Sequence, residues 1–100
     1  MSAQFDTIIQ SALDAMFDLY GVDVTLKPKM GGEIPAVAIP EKNTAVVGDY
    51  GQVVDFRTRL SFRLDQVSPA VGDTVTFEGA DVLLDGIESD DGYVRTFWVR

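Results

Sequence analysis

The stretch that decides the fold is residues 72–99, GDTVTFEGADVLLDGIESDDGYVRTFWV. Apolar and polar residues alternate in it with a period of two, which is typical of half-buried β-strands. The pattern predicts three strands, at residues 74–78, 82–84 and 93–99. The middle strand is expected to bulge at Asp85-Gly86 before it resumes at Ile87.

Two short turns separate these strands. Gly79-Ala80 predicts a tight hairpin. Asp91-Gly92 predicts a type I′ turn, because that turn needs positive φ at both central residues.

The β pattern extends back to residue 53. One face of this strand is apolar and is the predicted core face: Phe56, Thr58, Leu60, Phe62 and Leu64. The other face is polar and basic: Arg57, Arg59, Ser61 and Arg63. Short strands at spacings of about ten residues predict a small antiparallel β-barrel or sandwich, so the fold class is mainly β (α+β).

The N-terminal residues 1–20 predict one amphipathic helix before the barrel. Its apolar side chains recur at spacings of three and four and form a stripe: Phe5, Ile8, Ile9, Ala12, Leu13, Met16 and Tyr20. Ser2 is the expected N-cap, and Gly21 the expected left-handed residue at the C-terminal end. The stripe either packs on the barrel or stays exposed in the monomer and docks against a partner.

The remaining residues, 21–100, are assigned to the barrel. Residues 22–27 predict a strand that stops at Pro28, and residues 36–39, between two prolines, predict an edge or irregular strand. Residues 41–52, EKNTAVVGDYGQ, predict a mobile exposed loop. At 100 residues the chain is expected to form a single domain.

The composition argues against enzyme chemistry. The chain has no cysteine and no histidine, which excludes a thiolate nucleophile, a Ser-His-Asp triad and imidazole metal ligands. Its net charge of −8 would repel a nucleic-acid duplex or an anionic membrane. We therefore expect no enzyme activity, no catalytic residue, no cofactor or metal site, no membrane partner and no sequence-specific nucleic-acid partner.

The densest acidic cluster lies near the C-terminus and comprises Asp85, Glu88, Asp90 and Asp91. It lacks the spacing of an EF-hand loop, so we interpret it as turn chemistry, with weak calcium or magnesium binding as the alternative. Gly48 and Gly51 are not followed by the lysine of a phosphate-binding loop.

Two segments are candidate protein interfaces. The loop would offer Val46, Val47 and Tyr50 once it is ordered. The odd-numbered arginines Arg57, Arg59 and Arg63 would share the outer face of their strand. They either offset acids of their own barrel or contact the acidic 78–91 edge of an adjacent subunit, which includes Asp90 and Asp91.

The order of motifs over residues 57–99 resembles that of the head–tail joining proteins of lambda-like tailed phages. The motifs are an arginine-rich strand, Gly72-Asp73-Thr74, the strand ending at Ile87 and Asp90-Asp91-Gly92. The opening helix, from Phe5-Asp6, is similar too, whereas residues 28–52 match only weakly.

The resemblance implies a small β-barrel that forms a ring, six-fold on assembly, at the virion neck after assembly in the host cytoplasm. Its partners would be the portal and head-completion proteins and the tail terminator. It also implies an N-terminal segment and a central loop that can be mobile in the free protein. Two alternatives remain open: a tail terminator or tail-completion ring protein, and a small ligand-binding β-barrel module.

Overall fold

A computed structural model describes residues 3–100, with side chains from Thr7 onward. One helix precedes six strands: α1 (Ala3–Tyr20), β1 (Val22–Lys27), β2 (Ile34–Val47), β3 (Val53–Arg63), β4 (Thr74–Phe77), β5 (Ala80–Asp90) and β6 (Val94–Val99). The strands form a closed barrel in the order β1-β2-β3-β6-β5-β4, with antiparallel pairing throughout, and the pairing of β1 with β4 closes it. The predicted mainly-β class, an antiparallel barrel preceded by one helix, is confirmed.

The barrel interior is filled by its own side chains. Leu60 and Phe62 of β3 are fully buried, as their period-two positions predict, and the Phe62 and Phe97 rings meet edge to face with centroids 6.0 Å apart. The core comprises Val24, Leu26, Ala38, Leu60, Phe62, Val67, Val75, Phe77, Leu84, Phe97 and Val99. Phe56 was wrongly predicted to lie in this core, since its side chain is 62% exposed.

Helix α1 packs outside the barrel through the buried side chains of Leu13 and Phe17, which are not part of the barrel core. The guanidinium of Arg63, at the end of β3, lies 5.9 Å from the centroid of the Phe17 ring. Arg63 Nη1 also donates to Asp14 Oδ1 at 2.5 Å, so a cation–π contact and an ion pair join the helix to the barrel wall.

Gly21 connects α1 directly to β1. Its N–H donates to the Phe17 carbonyl oxygen at 2.9 Å, and its φ is not positive, so the prediction of a left-handed cap was wrong. A Cβ at this position would overlap the Phe17 carbonyl oxygen and Val37 Cγ1. Glycine is therefore needed here for close approach of the helix end to β2. Ser2, the predicted N-cap, lies outside the described residues.

We expect Gly21→Ala to lower the free energy of unfolding by about 1–3 kcal/mol, because the added methyl group must displace backbone as well as Val37. Urea titration followed by circular dichroism measures the change. Gly86→Ala is the matched control: its φ is not positive and its added Cβ would meet nothing within 4 Å, so we expect a change below about 1 kcal/mol. Equal losses in the two variants would contradict this account of Gly21.

Strand β2 is longer than predicted and is not an edge, because it pairs with both β1 and β3. Pro35 is the second residue of β2, and Pro40 precedes an irregularity in the β2–β3 register after Glu41. Proline is tolerated at such positions because the ladder is only beginning at Pro35 and is interrupted shortly after Pro40. Residues 41–47 of the predicted loop belong to this strand, and only 48–52 form the turn.

Both predicted hairpin turns differ in detail. The β4–β5 turn lies at Glu78-Gly79, one residue earlier than predicted, and both residues have positive φ (53° and 80°). Residues 91–93 join β5 to β6, and only Gly92 among them has positive φ (86°), so the type I′ prediction was wrong. The predicted bulge is confirmed by a register shift between Leu84 and Gly86.

Candidate assembly interface

Strands β2 and β3 continue beyond the barrel as a two-stranded arm. β1 pairs with β2 only as far as Ala38, and β6 pairs with β3 only from Arg59 onward. Beyond these points, in the described part of the chain, β2 and β3 pair only with each other. The arm begins at the irregularity near Asn43, whose φ is 56°, and we define it as residues 42–58.

The arm carries the predicted interface residues Val46, Val47 and Tyr50. Val46 is half-buried, whereas Val47 and Tyr50 are 60% and 94% exposed. The β3 side of the arm adds three more exposed apolar side chains, those of Val53, Val54 and Phe56. A two-stranded ribbon contributes little stability of its own, so this apolar exposure points to contact with another molecule.

The tip of the arm is a formed turn. The Gly51 N–H donates to the Gly48 carbonyl oxygen at 3.0 Å, and the Tyr50 N–H donates to Gln52 Oε1 at 3.0 Å. The Tyr50 side chain is therefore presented on an ordered backbone.

Arg57 and Arg59 pair with carboxylates of their own chain. Arg57 Nη2 lies 2.6 Å from Asp85 Oδ2, and Arg59 bonds Glu41 at 2.7 Å and Glu88 at 3.2 Å. This is the first of the two interpretations of the basic face. Contact of these arginines with an adjacent subunit would require an exchange of partners.

Arg63 is covered by α1, and its side chain is only 7% exposed. Hydrogen bonds to Asp65 and Asp14 raise the pKa of its guanidinium, against the opposing effect of burial. While α1 is docked, Arg63 is inaccessible to a second chain. Arg63 thus lies on the outer side of its strand, as predicted, but α1 covers it, so it is not available for contact alongside Arg57 and Arg59.

Asp90 and Asp91, the acids predicted at the interface, form hydrogen bonds within the β5–β6 connection. Asp90 accepts the Gly92 N–H at 2.9 Å and pairs with Arg95 at 2.7 Å. Asp91 Oδ1 accepts the N–H groups of Tyr93 and Val94, each at 2.9 Å. These contacts fit the interpretation as turn chemistry. Among the side chains described from residue 7 on, no group of three acidic residues is placed to hold a metal ion.

Ion pairing leaves an uneven surface charge. Seven of the eight lysines and arginines form ion pairs within the chain, and Lys29 forms none with the side chains that the structure describes. Seven carboxylates form no ion pair among the described residues. Asp55, Asp73 and Asp91 accept backbone N–H groups instead, and the other four are Asp18, Asp23, Glu33 and Asp49. The surplus negative charge is therefore displayed near the end of α1, in the loop before β2 and on the arm.

The carboxylates that accept hydrogen bonds or form ion pairs predict a loss of stability in acid. The pKa of Asp85 is lowered by its hydrogen bond from Arg57, that of Asp90 by the Gly92 N–H and Arg95, and that of Asp91 by the Val94 and Tyr93 N–H groups. A folded-state pKa below the unfolded value, about 3.9 for Asp, stabilises the protein above that value. This stability is lost as the pH falls through the folded pKa.

We therefore expect the free energy of unfolding to decrease as the pH is lowered through about 4 toward the lower folded pKa values. Urea titrations between pH 7 and pH 2.5 measure this dependence. Asp85→Asn should flatten it, because an amide in place of the carboxyl no longer titrates. Stability that stays constant or rises in acid would contradict the assignment.

The exposed apolar face of α1 coincides only in part with the predicted stripe. Of the predicted stripe, Leu13 is buried, Ile9 is half-buried, and Ile8, Ala12, Met16 and Tyr20 are exposed. The Phe5 side chain lies outside the described residues. Phe17, outside the predicted stripe, provides the main contact, while Leu19 is 71% exposed. The apolar residues cover about half of the helix circumference, at 3.6 residues per turn. That width indicated more apolar surface than one side of a barrel can cover.

A filled barrel that carries an apolar arm and an apolar helix face is typical of proteins that act through contacts with other proteins. The chain belongs to the phage head–tail attachment protein family, whose model matches residues 2–99. The resemblance inferred from the motif order is confirmed by this match. The protein is thus a structural component of the phage head–tail junction. A search of curated proteins finds no match. Within the described residues, no helix is long and apolar enough to span a membrane.

Proposed function

We propose that the protein forms a ring at the virion neck, six-fold on assembly, and joins the DNA-filled head to the tail. Its partners in this proposal are the portal or head-completion proteins on the head side and the tail terminator on the tail side. The observation that carries the proposal is the arm, since no other strand of the described barrel covers its apolar residues.

The length of the arm suits contact with a neighbour. At a rise of about 3.3 Å per residue, the six residues 53–58 extend β3 by about 20 Å beyond the barrel. Val46, Val47 and Tyr50 lie in its outer half and are the proposed contact residues. A head-to-tail ring needs two different complementary surfaces on each subunit, and the arm supplies one of them.

The charged residues have a secondary role in this proposal. Arg57 and Arg59 position the base of the arm, because they tie β3 to Asp85, Glu88 and Glu41. Asp90 and Asp91 shape the exposed β5–β6 loop and remain candidates for contact on the opposite side of the subunit.

Head–tail joining in vitro tests the proposal. DNA-filled heads and free tails, both produced without this protein, are mixed with and without the purified chain, and joined particles are counted by electron microscopy. We expect joining only when the protein is present, and averaged images of the neck give the ring symmetry. Binding to free tails with control of tail length, and no binding to heads, would instead identify a tail terminator. Joining without the protein would overturn the proposal.

We expect the free protein to be monomeric in dilute solution and to form the ring only on its partner. A net charge of −8 on 10.9 kDa opposes self-association at low ionic strength. Sedimentation velocity at micromolar concentration and low salt measures the mass. A stable hexamer under these conditions would contradict the prediction.

A further inference from the structure

We propose that the outward face of α1 is a second docking surface and that it binds an apolar groove rimmed by lysine or arginine on a neighbouring neck protein. This inference deepens the proposed function and rests on it. We define the outward face by Ile8, Ala12, Ala15 and Leu19, all of which are exposed.

Helical geometry places these residues together, away from the barrel. At 3.6 residues per turn, Ile8 and Leu19 are about 20° apart around the axis, with Ala12 and Ala15 on either side of them. Phe17, which packs on the barrel, is about 180° from Ile8. The two alanines leave room for a partner backbone to approach closely between the larger side chains.

The chemistry of this face is the reverse of that of an ordinary surface helix. Such a helix turns polar residues to solvent, whereas here Ile8 and Leu19 are 61% and 71% exposed. The helix is also anchored by Leu13, Phe17 and the Asp14–Arg63 pair. Because the face is already ordered, a partner groove can bind it at little cost in conformational entropy.

The charge around the outward face selects the partner. Asp18 flanks the outward face, about 80° from Ile8 around the helix axis. It forms no ion pair among the described residues, and no lysine or arginine precedes Lys27 in the sequence. The last turn of α1 also carries no basic residue to offset the negative end of the helix dipole. A groove with a basic rim therefore complements this surface, while an acidic or nucleic-acid surface would be repelled.

A second copy of this chain does not supply such a rim. Seven of its eight cationic side chains are already paired with its own carboxylates, and only Lys29 forms no ion pair among the described residues. The occupant we propose is therefore a different protein, on either the head side or the tail side of the ring.

Two variants test the two components of the surface. Leu19→Glu places a charge on the outward face, and Asp18→Lys reverses the charge at its rim. Matched controls are Val71→Glu, at an apolar residue that is 42% exposed on another part of the surface, and Glu33→Lys, at another unpaired carboxylate. Circular dichroism and the thermal midpoint establish that each variant is folded.

Binding is measured by co-sedimentation of each variant with two separate probes, purified tail-less heads and purified free tails. We expect both outward-face variants to bind one of the probes at least ten times more weakly than the unmodified chain, and both controls to bind normally. Binding of the unmodified chain to that probe should weaken as sodium chloride is raised, as expected for a basic rim.

The outcomes separate this inference from the proposed function. If Leu19→Glu binds both probes normally while the unmodified chain still joins heads to tails, the docking surface is wrong and the proposed function stands. If the unmodified chain joins nothing, the proposed function itself is wrong. Normal binding by the rim-reversed variant overturns the basic groove. If the unmodified chain self-associates and Leu19→Glu abolishes that self-association, the occupant of the outward face is a second copy of this chain, and the proposed basic groove is wrong.

Discussion

Replacing residues 46–55 by Asn-Gly is expected to abolish head–tail joining and to leave the thermal midpoint almost unchanged. The cut closes the hairpin on the paired residues Ala45 and Phe56, and Asn-Gly is the dipeptide that a two-residue β-hairpin turn prefers. Stability should be retained because the deleted residues contribute nothing to the barrel core. Joining should be lost because Val46, Val47 and Tyr50 are removed together. Electron microscopy and differential scanning calorimetry provide the two measurements.

Point variants make the same test more specific. Tyr50→Ser should reduce joining at least tenfold, since the 94% exposed ring is the most prominent apolar group of the arm. Met30→Ser is the matched control, because Met30 is almost fully exposed and lies outside the arm. Full joining by the shortened protein would show that the arm is not a contact. A large drop in the thermal midpoint would show that it is part of the folded core.

The largest expected loss of stability comes from Phe62→Ala. Phe62 is fully buried and packs edge to face on Phe97, so removal of its ring leaves a cavity in the centre of the barrel. Such substitutions cost about 3–5 kcal/mol, which is a large part of the 5–15 kcal/mol that stabilises a typical domain. Urea titration followed by tryptophan fluorescence, which reports on Trp98, measures the loss.

Phe56→Ala is the control for this variant on the same strand. Phe56 and Phe62 are an even number of residues apart on β3, so the period of two predicts the same face for both, but Phe56 lies on the arm and is mostly exposed. We expect its replacement to change the free energy of unfolding by about 0.5 kcal/mol or less and to impair joining instead. Similar losses of stability in the two variants would contradict the division of β3 into a barrel half and an arm half.

The comparison of these two phenylalanines shows how far the period-two pattern could be used. The pattern correctly predicted that Leu60 and Phe62 are both core residues, because alternation along a strand follows from backbone geometry. It could not show that β3 leaves the barrel before Phe56. That depends on where β1 and β6 end as neighbours, and their ends are specified by other parts of the chain.

The candidate site was predicted in part for the same reason. The apolar composition near the two glycines indicated Val46, Val47 and Tyr50, and the structure brings all three to one arm. The arginines were correctly expected on the outer side of their strand. Their partners were not predictable, because Asp85 and Glu88 meet them across an intervening strand of the closed barrel.

Local pattern alone thus determined the helix, most of the strands and the bulge after Leu84, since each depends on residues close together in the chain. The family followed from the order of such motifs along the sequence. Tertiary structure decided which arc of α1 packs on the barrel. The sequence shows a broad apolar arc, and the docked arc is the one that places Phe17 beside Arg63 and Gly21 against Val37, which leaves Leu19 exposed. The docking of a helix depends on the shape and charge of a surface that distant strands assemble, and no local period records that surface.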